Sequence, residues 1–138
     1  MCYSLYLFTD KKLETSSFDE KNPGMYIDEI RHASDEPAKK WKGEKEYIYY
    51  IGSQLCCGCG WIPVTEYDDD DLEEVEGVRK DRESLYAFLK NHSFEDSYLI
   101  IAWEGNQGKP LIAEKVFDME LLKDVYFEFE ELVMYKLP

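Results

Sequence analysis

Hydrophobic residues along this chain come in short runs separated by charged or glycine-rich stretches, the spacing of strands rather than of a helical bundle. The run from Cys2 to Thr9 is aromatic and bulky and stops at Asp10-Lys11-Lys12, which predicts a first strand. Asn22-Pro23-Gly24 supplies turn chemistry, and Met25 to Ile30 fits both a short strand and one turn of helix. Residues 31–44 are polar and carry Pro37, so they are expected to be a surface connection with Trp41 as its anchor. Glu46 to Ile51 is the clearest strand, mixing Tyr and Ile as a sheet covered on one face does.

After the glycine-rich segment 52–60 the chain looks extended again from Trp61 to Tyr67, a hairpin-like excursion with Pro63 placing its second arm at an edge or bulge. Asp68 to Asp71 then precede the one helical pattern, in which Val78, Leu85, Phe88, Leu89 and His92 recur on one face. Upstream acids and a late Lys90 suit the helix dipole. Tyr98–Trp103, the turn at residues 105–108 and Pro110–Val116 predict a β-hairpin. Asp118 is placed to cap a short helix through Lys123, and Val125 to Leu137 is expected to be a final strand. This order of elements predicts an α+β fold, a mostly antiparallel sheet with one principal helix (about 78–92) packed on it. With no repeat or composition break, residues 1–138 are expected to form a single globular domain.

Charge narrows the partners. Sixteen Lys and Arg against thirty Asp and Glu give a net charge of −14, spread along the chain. Such a field repels phosphate backbones and anionic lipid, so neither a nucleic acid nor a membrane is expected as partner, whereas a basic protein would be attracted. The N-terminal octet lacks the basic start and apolar stretch of a signal peptide, and no run is long enough to span a bilayer. A cytoplasmic setting with reduced thiols is the expectation.

Candidate chemistry concentrates in Gly52-Ser53-Gln54-Leu55-Cys56-Cys57-Gly58-Cys59-Gly60-Trp61, which holds three of the four cysteines. In an extended segment Cys57 and Cys59 leave from the same face and Cys56 from the other. Their Cα atoms would then lie ~6.5 Å apart, near the upper edge of disulfide geometry, so a redox pair is allowed. Cys56 and Cys59 also form Cys-x-x-Cys, but Gly60-Trp61-Ile62-Pro63 does not start the helix that the thioredoxin-like version needs. With Cys2 brought alongside by strand pairing, four thiolates would be suitable chemistry for zinc. Gly52, Gly58 and Gly60 are expected to shape the loop through backbone angles closed to other residues, with Ser53 shaping it beside them and Trp61 walling one side. The alternative is a tight bend with cysteines packed as small hydrophobes.

Tyr49-Tyr50-Ile51-Gly52-Ser53 followed by Cys57-Gly58-Cys59-Gly60-Trp61, with the later Ile101-Ala102-Trp103-Glu104-Gly105, resembles a group of small bacterial proteins of no established activity. That resemblance implies a bacterial cytosolic protein and points to the same loop. Asp68–Asp71 lack the ligand spacing of an EF-hand, Ser53 lacks a nucleophile elbow, and no nucleotide-binding glycine fingerprint occurs. No catalytic constellation is visible and no cofactor is called for. The expectation is a non-enzymatic interaction module, inhibitor or immunity-like, with a basic protein partner; the alternative is a thiol-redox or metal-binding protein using the loop of Cys56 to Cys59.

Overall fold

The structure, a computed structural model, describes residues 2–63 and 72–138. Its centre is β1 (Tyr3–Thr9), buried from Ser4 to Thr9 because strands flank it on both sides and both of its faces are covered. β3 (Tyr47–Gly52) pairs antiparallel along one edge, Leu5 opposite Ile51, and β4 (Tyr98–Trp103) along the other, Leu5 opposite Ile101. β2 (Tyr26–Glu29) extends the sheet beyond β3, β6 (Val133–Lys136) pairs antiparallel with β4, and β5 (Ala113–Val116) lies parallel to β6 at the far edge. The six-stranded order is β2-β3-β1-β4-β6-β5. With the helix α1 (Leu72–Asn91) on one face, the fold is α+β, mostly antiparallel, with one principal helix.

Alternation along β1 sends Leu5 and Leu7 to one face and Tyr6 and Phe8 to the other. The first face packs with Tyr49, Ile51, Leu99, Ile101 and Val133 against Leu85 and Leu89 of α1 and the indole of Trp61. The second packs with Tyr98, Ile100 and Ala102 against Ala38 and Trp41. Burial on both faces explains why β1 and β4 are continuously apolar in sequence instead of alternating with polar residues. In α1, Val78, Arg82, Leu85 and Leu89 recur at helical spacing on the buried side.

Several expectations need correction. Residues 33–41 are not a surface connection: Ala33–Trp41 form a 3-10 helix with Pro37 inside it and Asp35, Ala38 and Trp41 buried. Those three lie three residues apart, the repeat at which a 3-10 helix eclipses its side chains. Trp41 is the anchor, donating from Nε1 to the Lys109 carbonyl at 2.8 Å and seated where its own carbonyl accepts from the Tyr98 hydroxyl. Tyr98–Trp103 and Pro110–Val116 do not form a hairpin, since β6 inserts between them. The connection is too long for a tight turn, and the crossover of residues 117–132 returns the chain parallel to β5. Of the expected final strand only Val133–Lys136 is extended in the sheet, while the 3-10 helix Met119–Lys123 is capped by Asp118, whose Oδ1 accepts from the Glu120 N–H at 3.0 Å. The extended arm expected from Trp61 does not begin there, since Gly58–Trp61 form a 3-10 helix, and its remainder beyond Pro63 and the acidic run Asp68–Asp71 fall outside the described residues. Among the described residues no helix is long and apolar enough to cross a membrane.

Candidate functional site

The loop that follows β3 folds around one hydroxyl. Ser53 is completely buried; its Oγ donates to the Cys57 carbonyl at 2.6 Å and accepts from the N–H groups of Gly60 at 3.1 Å and Leu55 at 3.2 Å. Its own N–H reaches the same Cys57 carbonyl at 3.0 Å. A short polar side chain here satisfies backbone groups that the tight bend would otherwise leave orphaned. Trp61 closes the far end of the bend, 1% exposed, with Nε1 donating to the Ile51 carbonyl at 3.0 Å. Gly52 ends β3 beneath the Tyr26 ring.

The glycines serve space rather than torsion. Gly52, Gly58 and Gly60 are not among the residues at positive φ, contrary to the expectation that they relieve forbidden backbone angles; that conformation falls on Cys56, at φ 70°. A Cβ on Gly58 would stand 2.3 Å from the Tyr3 carbonyl oxygen, and one on Gly60 2.3 Å from Ser53 Oγ and 2.6 Å from Asp81 Oδ2. The loop is thus laid directly on the first residue of β1, which is how Cys2 comes to stand beside it.

Cys2, Cys57 and Cys59 converge, their sulfurs all within 4.8 Å of one another and each partly buried. No disulfide joins them. Cys57 Sγ accepts from the Cys59 N–H at 3.4 Å. Burial pushes the Cys57 thiol up to about 12 against the pull of that amide, and its hydrogen bonds with Cys2 and Cys59 raise it further. Burial acts upward on Cys59 too, but the Cys57 thiol, the Tyr3 amide and the Cys2 thiol together outweigh it and bring Cys59 below the ordinary cysteine value. Between Cys57 and Cys59, ionisation therefore falls first on Cys59. Cys56 stands apart, exposed on the outer side of the bend, its carbonyl accepting from the Tyr26 hydroxyl at 2.8 Å.

Behind the loop lie two adjacent buried charged residues, Asp81 and Arg82, that the sequence pattern did not single out. Asp81 on α1 accepts from the Gln54 N–H at 3.0 Å through Oδ1, while Oδ2 has no partner; it is 2% exposed. Burial pushes its carboxyl up to about 6, opposed by the Gln54 hydrogen bonds and by the Arg82 charge. Because the folded state holds this proton more tightly than the unfolded chain does, its contribution favours folding below about pH 4 and is lost as pH rises through 6. Asp81→Asn keeps an oxygen for Gln54 and removes the buried charge. It is expected to stabilise the protein by about 1–2 kcal/mol at pH 8 and by about half as much at pH 5, discounting the full shift for residual solvent screening. Urea unfolding of both proteins at the two pH values measures this; an equal difference at both would refute it.

No family model, curated protein or solved structure matches the chain.

Proposed function

We propose that this chain is a thiolate metal-binding protein in which Cys2, Cys57 and Cys59 hold one soft ion, Zn2+ in first place. The supporting observation is the convergence of three sulfurs from two separate segments within 4.8 Å, one of them already taking a backbone N–H donor. Thiolates bound at ~2.3 Å around a tetrahedral ion stand roughly 3.8 Å from each other, so the trio closes on an ion by small side-chain movements. Thiolate ligands select soft ions over Mg2+ or Ca2+, and amide donors to sulfur are the outer-shell support such sites use. A bound ion would displace the thiol protons, shed its fourth position to solvent or ligand, and pin the start of β1 to the loop.

The test is native mass spectrometry and Cd2+ absorption titration under a non-thiol reductant. The expected result is one ion per chain, with Cys57→Ser and Cys59→Ser each weakening binding at least about 100-fold and Cys56→Ser leaving it unchanged. A chain that retains no ion, or one in which Cys56→Ser is as damaging as Cys57→Ser, rules the reading out.

The −14 charge favours a second reading, a basic protein partner drawn by the acidic surface. Its cationic side chains would need a receptor on this chain, and the peptide titration described next measures whether one exists.

A further inference from the structure

We propose that the cavity beside the thiol trio is a receptor for a small organic cation, a guanidinium or ammonium head on a short chain. The cavity has a volume of about 280 Å3 and opens between β1, β2, β3 and the 3-10 helix Ala33–Trp41, with Ser4, Tyr26, Tyr50, Asp35 and Glu104 on its walls. That volume sits at the small end of the range for ligand pockets.

The walls have the chemistry of a cation site. Four carboxylates line it, Asp28, Glu29, Asp35 and Glu104, against one guanidinium, Arg31, which Asp28 already holds at 3.0 Å. The Tyr26 and Tyr50 rings stand 6.2 Å apart at 40°, and Tyr6 meets Tyr50 edge-on at 6.1 Å, so aromatic surface forms one side. At the floor Asp35 is 4% exposed and its Oδ1 accepts from the Tyr6 hydroxyl, which accepts in turn from Gln107 Nε2 at 3.2 Å. Burial, and then Asp35 itself, hold that hydroxyl protonated. The chain Gln107, Tyr6, Asp35 is thus oriented with donors pointing toward the carboxylate, which leaves Asp35 as an acceptor at the cavity wall.

A bare metal ion does not fit this lining. Among the described residues the only group of three Cys, His, Asp or Glu donors close enough to share an ion is the thiol trio, so the carboxylates of the cavity are too dispersed for one centre. Spread acceptors with an aromatic side suit an extended organic cation instead. The inference does not rest on metal binding by the thiols.

The experiment is a titration of the full chain, with chelator and reductant present, by amide-resolved NMR. Agmatine is the free cation, a capped Gly-Gly-Arg-Gly-Gly peptide carries the same head as a protein side chain, and glutarate is the anionic control. Saturable shifts at Tyr26, Asp35 and Tyr50 are expected with a cation and not with glutarate. Asp35→Asn, and separately Glu104→Gln at the exposed rim, are expected to weaken binding by about tenfold and by a few-fold, the losses of a buried and of an exposed charge partner. Saturation by agmatine identifies a free amine as the source, and saturation by the peptide alone identifies a partner's side chain. If neither cation saturates, or if affinity is the same in both variants as in the parent, the proposal is overturned.

Discussion

Gly58→Ala is expected to unfold with a midpoint about 10 °C below that of the parent chain, a loss of about 3 kcal/mol for a domain of this size. The cause is local: the added methyl would meet the Tyr3 carbonyl oxygen at 2.3 Å and its carbon at 2.7 Å, both backbone atoms of the central strand. Flexible side chains can move away from such an intrusion, but β1 is pinned by ladders to β3 and β4 and has no room to shift. The loop must therefore lift, which strains the Ser53 bonds and parts Cys57 and Cys59 from Cys2. Gly24→Ala is the control, since a Cβ there meets nothing within 4 Å. Thermal and urea unfolding should separate the two variants clearly. A loss under about 0.5 kcal/mol at Gly58 would mean that the loop does not rest on β1 as described.

How much of this was legible in the sequence depended on whether the deciding contacts were local. The strand runs 3–9 and 98–103 carry their own signal, because burial on both faces demands continuous apolar residues, and 47–52 carries one through its Tyr and Ile content. Asp35, Ala38 and Trp41 also carry a signal, a period of three, which Pro37 masks because it argues against an α-helix. The place of β5 was hidden for another reason. A turn beside two apolar runs is the mark of a hairpin, and only the competing pairing of β6 with β4, made by residues far downstream, displaces it.

The site divides the same way. Cys57 and Cys59 do share one side of the bend, but not by the alternation of an extended segment: Cys57 caps the 3-10 helix Gly58–Trp61 and Cys56 turns away at φ 70°, whereas the arrival of Cys2 depends on the close seating of Gly58 over Tyr3, a contact between segments 55 residues apart. Glycine in sequence does not announce whether it is needed for torsion or for space; here it was space, and the strained torsion went to Cys56. The acidic composition concealed the rest. Among thirty acids, nothing marks Asp35 and Asp81 as buried, and Arg82, although it falls at the helical spacing of Val78, Leu85 and Leu89, is masked by its charge.

Arg82 is where removal of one side chain should cost most. It is 1% exposed, and its guanidinium gathers three carbonyls from outside its own helix: Nη1 donates to Asp124 at 3.0 Å, and Nη2 to Phe127 at 2.7 Å and Trp61 at 3.2 Å. The guanidinium carbon also stands 5.8 Å from the centre of the Phe127 ring. These bonds join α1 to the end of the cysteine loop and to the segment leading into β6, where no strand ladder does so. Burial lowers the guanidinium to about 10, opposed by Asp124 and Asp81, so it stays charged at neutral pH and the desolvation is offset only while the carbonyls are in place. Arg82→Met keeps the length and apolar stem but strands three acceptors and leaves Asp81 without its neighbouring charge. The expected loss is about 3–5 kcal/mol, with amide exchange accelerated first at Trp61 and at residues 124–129. Arg82→Lys retains the charge but has no planar fork to reach three separate carbonyls, and about half of that loss is expected. Urea unfolding with residue-resolved hydrogen exchange checks both variants. A methionine variant as stable as the parent, with exchange at residues 124–129 unchanged, would show that those carbonyls find other donors and that Arg82 does not hold the two segments to the helix.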